Sequence, residues 1–281
     1  MSRIFEALQH VSPELSRLAE PDGGSQGFSS LSAFDTGALC VEEAKRFRLP
    51  KSPAARLVAW REPNCLASEN FRRLSAHLRY ARQSRTVKRV LVTSPIRGDG
   101  KSVVSANLAI ALASHGERTL LLDGDLHRPS ISSMFSLDGS RGFATWHEEP
   151  AESANLLYRA ESLPLWVLPA GNCSQQPLTV IQSSKTSKFV EQLASVFTWV
   201  VVDSPPLVPL ADSGIWTTLC DVVVMVTRDG VTPKNALIDS IHNIDKSKLF
   251  AIVMNDAQSL AQSYYNSYYS ATAHRKSRAG S

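Results

Sequence analysis

The chain has 281 residues, 43% of them hydrophobic and 20% charged, with 14 glycines and 15 prolines, an ordinary globular composition with room for one large α/β domain plus appendages. No stretch approaches ~18 consecutive apolar residues, and the opening MSRIFEALQH lacks the apolar core of a secretory signal, which excludes a transmembrane helix and argues against export. A net charge of +4 is too mild to argue for nucleic acid. Cys40, Cys65, Cys173 and Cys220 are scattered singly with no CxxC pair, as reduced thiols of a cytoplasmic protein rather than a zinc site.

Residues 1–19 are expected to form a short amphipathic helix with Ile4, Phe5 and Leu8 on one face. Residues 20–65 are expected to be a flexible linker, because PDGGSQGFSSLSAFDTG is rich in Gly and Ser and apolar periodicity is missing. From residue 66 the pattern changes: Leu66, Phe71, Leu74 and Leu78 share one helical face, with Arg and Glu on the other. Apolar runs of strand length follow at Val90–Thr93, Thr119–Leu122, Trp166–Leu168, Trp199–Val202, Val222–Val226 and Phe250–Met254, with helical patterns at 103–114, 186–196 and 234–243. Continuous Val/Leu/Ile strands alternating with helices predict a doubly wound, mainly parallel sheet with helices on both faces, over residues 66–256. Residues 257–281 return to Ser, Ala, Tyr and late basic residues and are expected to be disordered.

The first long strand runs into Ser94-Pro-Ile-Arg-Gly-Asp-Gly-Lys-Ser102, with a helical pattern after it. Strand, glycine-containing turn and helix opening on Lys-Ser are the parts of a phosphate-binding loop. Gly98 and Gly100 let backbone N–H groups converge on phosphate oxygens, and Arg97, Asp99 and Val103 flank them. Lys101 suits the β- and γ-phosphates of a nucleotide, and the Ser102 hydroxyl suits a Mg²⁺ shell. The strict pattern places a glycine where this chain has Pro95. Two further acidic sites end strands: Asp123 and Asp125 in LLLDGD, and Asp203 in VVVDSPP. A lone Asp in such a place is more often a turn or cap, but ligands of open α/β sheets bind at the carboxyl ends of strands. Three carboxylates beside a phosphate loop therefore favour a metal and catalytic role.

A P-loop, then hhhDxDxxRP from Leu121 to Pro129, then hhhDxPP, then a C-terminal tyrosine cluster is an order that resembles the bacterial tyrosine kinases. The likeness is to the free-standing cytoplasmic kinases of capsule and exopolysaccharide loci, the CpsD/CapB type, and covers residues ~66–270. The SRIFEALQ opening is similar to tyrosine autokinases of exosortase-associated polysaccharide loci. The resemblance implies ATP and Mg²⁺ as cofactors and a role in polysaccharide chain length, polymerisation or export. It implies Lys101, Asp123, Asp125 and Asp203 as catalytic residues, with Ser102 joining the three carboxylates around the metal and Asp123 favoured as the base. Asn255, ending the last strand, resembles an adenine-contacting Asn. Glu69 and Arg72 match two positions of an oligomerisation signature, Glu-x-x-Arg-x-x-Arg, whose last Arg is Ser75 here; as an i,i+3 pair they also read as an ordinary solvated helix face. The family usually has Pro at Arg97 and often Arg at His127.

Four of the six tyrosines are Tyr264, Tyr265, Tyr268 and Tyr269. The resemblance makes them autophosphorylation sites, reached in trans within a homo-oligomer. Implied partners are a membrane activator of the chain-length-determinant type and a cognate tyrosine phosphatase, with the chain held at the inner face of the plasma membrane by the activator. Two rivals share the motifs: a P-loop ATPase switch of the partitioning or septum-positioning type, and a nucleotide-binding scaffold without phosphotransfer. The first normally carries a signature Lys where this chain has Ile96.

Overall fold

Eight strands pair into one sheet in the computed structural model, which describes residues 41, 44–149, 156–208 and 211–257. They are β1 (Lys45–Phe47), β2 (Arg89–Thr93), β3 (Thr119–Asp123), β4 (Tyr158–Ala160), β5 (Leu165–Leu168), β6 (Trp199–Asp203), β7 (Val222–Arg228) and β8 (Leu249–Asn255). Their spatial order is β1-β4-β5-β3-β6-β2-β7-β8, and every neighbouring pair is parallel except β4 with β5. The doubly wound, mainly parallel sheet expected from the sequence is the fold observed.

Strands β3, β5 and β6 are buried along their whole length. That burial is why they read as unbroken apolar runs rather than alternating ones. The side chains still alternate between two cores. Val90, Val92, Leu121 and Val201 face one, shared with Leu78, Val104, Leu108 and Leu112. Leu91, Leu120, Leu122, Val200 and Val202 face the other, an aromatic layer around Phe143, Trp146, Phe189 and Trp216. The first core is covered by α2 (Leu66–Ala81) and α3 (Lys101–Ala113); the second is covered by α5 (Phe143–Glu148), α6 (Pro177–Gln182), α7 (Ser184–Val196) and α8 (Ala211–Leu219). Helix α3 is apolar nearly all round because it is buried nearly all round, from Val104 to Ala113. Its first turn is thereby fixed against the sheet.

Residues 44–65 correct the sequence reading, which placed them in a flexible linker. Strand β1 pairs in parallel with β4, and α1 (Val58–Arg61) follows a 3₁₀ turn at Pro53–Ala55. Phe47, Leu49, Ala55 and Leu57 are buried in the first core. The folded unit thus includes residues 44–65, and Val41 also packs against the second core. Elements of three or four residues are too short to show a period, so only their isolated apolar residues could have announced them. The N-terminal helix of 1–19, the Gly/Ser stretch through residue 40 and the tail tyrosines lie outside the described residues.

Candidate active site at the carboxyl ends of the strands

The loop between β2 and α3 turns on two glycines. Gly98 and Gly100 both have φ of +94°, left-handed backbone that side chains other than glycine's disfavour. Residue 95 takes no positive φ, so the glycine of the strict pattern is dispensable there and Pro95 sits buried. Gly100 is the N-cap of α3, and a Cβ on it would fall 2.1 Å from Asn255 Nδ2. That amide, at the end of β8, donates to the Asp99 carbonyl at 2.9 Å. The Asp99 carboxylate is buried and accepts from Ile96 N at 3.2 Å and from Thr232 Oγ1 at 2.7 Å. Asp99 therefore holds the loop's shape, with its carboxylate turned to the protein.

Three carboxylates converge on the first turn of α3. Asp123 and Asp203 end adjacent parallel strands and are direct register partners. Both are fully buried. Asp123 Oδ2 accepts from Ser130 N and Ile131 N at 3.1 and 3.0 Å, and Oδ1 accepts from Asp125 N at 3.3 Å. Burial, then the Asp203 charge, push its proton affinity above the ordinary carboxylate range against these bonds. Asp203 Oδ1 accepts from Ser105 Oγ at 2.8 Å, while Oδ2 is buried with no hydrogen-bond partner among the described residues. Burial pushes Asp203 upward too, more than the Lys101 charge and the Ser102 and Ser105 hydroxyls pull it down. Lys101 Nζ lies 2.9 Å from Asp125 Oδ2, an ion pair with 13% and 5% of the two side chains exposed. Burial would lower the Lys101 pKa, but Asp203, Asp125 and Asp123 outweigh it and hold the ammonium above its ordinary value.

Lys101 and Ser102 open onto a cleft of about 570 Å³ whose walls include Arg97, Gly98, Gly100, Val103 and Asp125. Asp123 and Asp203 lie behind this wall. Asn255 stands apart from it, in a second hollow of about 590 Å³ lined by Phe71, Leu74 and Val253. Arg72 bonds Glu69 through Nε at 2.9 Å and also donates to the Pro63 carbonyl, so the pair ties α2 to its own N-terminal approach. Ser75, in the place of the signature's last Arg, is buried and bonds back to the Arg72 carbonyl at 2.8 Å.

Several functional contacts were not foreseen. Ser105, one turn after Lys101, donates to Asp203, and His127 Nε2 lies 2.6 Å from Asp212 Oδ2 in the first turn of α8. Trp216 donates to the Gly124 carbonyl at 3.2 Å, and a Cβ on Gly124 would lie 2.8 Å from its ring, so only glycine fits between the two aspartates of LLLDGD. Ser105, a polar residue in a largely apolar helix, was a signal available in the sequence.

Among the described residues no three His, Cys, Asp or Glu side chains form a self-contained metal cage. The donor set instead suits Mg²⁺, which keeps waters and phosphate oxygens and takes few protein ligands. The orphan Asp203 Oδ2 beside the Ser102 hydroxyl is where such an ion fits. One outcome follows. Asp203→Asn removes a charge whose burial cost outweighs its attraction to Lys101, so the nucleotide-free protein should melt no lower, within roughly 1 kcal/mol, while Mg²⁺-dependent nucleotide binding weakens at least ~10-fold. Thermal melting with and without Mg²⁺ and ADP reads both.

Residues 85–244 match the ParA family, described as NUBPL iron-transfer P-loop NTPase. Tyrosine-protein kinase YwqD of Bacillus subtilis is 28% identical over 214 residues, 75% of this chain and 90% of the relative. The succinoglycan biosynthesis transport protein ExoP of Rhizobium meliloti is 27% identical over 66% of this chain but only 24% of its own length. The crystal structure of the VpsO kinase domain superposes with a TM-score of 0.62 at 27% identity, covering 73% of this chain and 96% of that one. The relatives are thus those the motif order pointed to.

Proposed function

The chain belongs to the ParA family of P-loop NTPases, and on that premise we propose that it is an ATP- and Mg²⁺-dependent protein-tyrosine autokinase acting on polysaccharide polymerisation or export. The observation that carries the reading is Lys101, on a P-loop whose glycines bare backbone N–H groups, set among three strand-end carboxylates. Relatives named as tyrosine kinases, spanned over most of their length, support it. No CxxC pair stands in the sequence to suit an iron cargo.

In this reading the N–H groups of residues 97–103 hold the phosphates, and Lys101 shifts from Asp125 to the β- and γ-oxygens. Ser102 and Asp203 would hold Mg²⁺, which would supply charge neutralisation on the phosphates. Asn255 marks the side of the loop on which the adenine lies. The tyrosine oxygen forms its bond to the γ-phosphorus as the bond from that phosphorus to the β,γ-bridging oxygen breaks, and ADP leaves with that electron pair. Asp123, the base that the resemblance implies, would take the tyrosine proton. Asp125 orients Lys101 before nucleotide arrives.

The acceptors are Tyr264, Tyr265, Tyr268 and Tyr269 of a neighbouring copy, with Glu69 and Arg72 serving the contact between copies. A membrane activator of the chain-length-determinant type and a tyrosine phosphatase complete the cycle, and the activator brings the chain to the inner membrane face. ExoP supports this coupling, because there the matching region is a minor part of a transport protein. Among the described residues no helix is long and apolar enough to cross a membrane.

Replacing all four tail tyrosines by Phe tests the acceptor assignment. Phosphate incorporation from labelled ATP should fall to background while ADP affinity stays within about twofold. ATP turnover and incorporation that both ignore the tail would favour the ATPase switch instead.

A further inference from the structure

Three arginines reach the mouth of the phosphate cleft from three separate segments: Arg56 from the turn before α1, Arg97 from the loop, and Arg128 from the stretch after β3. With Lys101 they make four cationic side chains against one carboxylate, Asp125, on the cleft wall. Among the described residues no ion pair engages any of the three guanidinium groups.

Arg56 is held there by construction. Its φ is +55°, left-handed backbone that a non-glycine residue adopts only when its surroundings impose it. The imposing group is Asn107, fully buried on α3. Its Nδ2 donates to the Arg56 carbonyl at 2.9 Å and to the Val103 carbonyl at 2.8 Å, and its Oδ1 accepts from Ala59 N at 2.9 Å. The helix that carries Lys101 and Ser102 on its first turn thus also positions Arg56.

Lys101, Arg97 and the loop serve the nucleotide, which leaves Arg56 and Arg128 without an assigned anion. The tail does not supply one before reaction: after Asp256 it contains no Asp or Glu, and Arg275, Lys276 and Arg278 make its end basic. Phosphorylation changes that, since each phosphotyrosine carries roughly −1.5 to −2 charges and three strong acceptor oxygens. A guanidinium fork matches such a group bidentately. The geometry points to a phosphotyrosine-docking site: Arg56 and Arg128 bind a phosphotyrosine already present on the tail and so retain a neighbouring tyrosine at the cleft. This rests on the tail being the acceptor. The spacing suits it, because the pairs 264/265 and 268/269 always leave a second tyrosine within a few residues of the first. The first transfer is then unassisted and the later ones are accelerated.

Two measurements on the full chain test this. In the first, intact-mass time courses with ATP and Mg²⁺ compare wild type with Arg56→Gln. Wild type should pass quickly from one phosphate to several, whereas Arg56→Gln should add the first phosphate at the wild-type rate and later ones roughly tenfold more slowly. Arg56→Lys should recover part of the loss. Equal slowing of first and later transfers, or unchanged phosphoforms, would overturn the site. In the second, a labelled peptide of residues 261–272, with and without phosphate on Tyr268, is titrated in saturating Mg²⁺ and ADP. The phosphopeptide should bind roughly tenfold more tightly, and Arg56→Gln should erase the preference. A preference that is absent or survives the substitution overturns the docking site. A preference seen in a chain that never modifies its own tail sinks the acceptor reading and leaves the docking site standing.

Discussion

Lys101→Met should lower tail phosphorylation by roughly 10²–10³-fold or more, the scale seen when a preorganised group facing transition-state charge is removed. The ammonium has two tasks, and the substitution ends both. It neutralises the γ-phosphoryl oxygens during transfer, and before nucleotide binds it neutralises Asp125 at 2.9 Å and offsets the negative charge of Asp203 and Asp123. With the cation gone, three largely buried carboxylates face one another. The variant should therefore lose about 1–3 kcal/mol of stability, or roughly 3–10 °C in melting temperature. The sign with pH follows from the raised proton affinity of Asp123 and Asp203. Groups that hold protons more tightly folded than unfolded stabilise the protein at low pH, and that stability drains away as pH rises through their folded values. The melting deficit should accordingly be larger in alkaline than in mildly acidic buffer. A deficit that grows on acidification would mean that Lys101 is not what holds these carboxylates.

Gly100→Ala should be nearly as damaging, although it removes no functional group. Alanine at φ +94° costs about 1–2 kcal/mol. Its Cβ would stand 2.1 Å from Asn255 Nδ2, so the amide must swing away and give up its bond to the Asp99 carbonyl, a further ~0.5–1.5 kcal/mol. If the loop yields instead, Lys101 and Ser102 shift by a fraction of an ångström to an ångström, enough to cost roughly 10²-fold in transfer. Nucleotide titration and melting curves should both register the change. Adding Asn255→Ala separates the causes: the double variant should regain the steric part of the stability and none of the part that comes from φ. A Gly100→Ala protein that binds ADP normally would show that the loop does not take this shape in solution.

How legible the chain was depends on the length scale of each feature. Strands β2, β3, β5, β6 and β7 were readable to within a residue or two, because burial leaves an unbroken apolar run, and β8, partly exposed at the edge of the sheet, carries such a run as well. Strands β1 and β4 are three residues each, KRF and YRA, and owe their place to backbone pairing with neighbours that the sequence does not name. The loop was legible through Gly98, Gly100 and Lys101, and the departure at Pro95 fits the backbone because residue 95 takes no positive φ. Asp123, Asp125 and Asp203 were legible as strand-end acids. Their division of labour was not, since it depends on which oxygen meets which N–H. Arg56 was hidden because its segment looked like linker, and Asn107 because a buried amide is recognisable only once its three partners are in place. A polar Asn inside a helix as apolar as KSVVSANLAIALA was the available hint.

Phosphosite mapping of the purified full-length chain, incubated with ATP and Mg²⁺ with and without a cognate chain-length-determinant-type membrane protein, tests the central claim most directly. Phosphate is expected on Tyr264, Tyr265, Tyr268 and Tyr269 of the wild type and on none of them in Lys101→Met. A chain that hydrolyses ATP in the presence of that partner while all four tyrosines stay unmodified would contradict it.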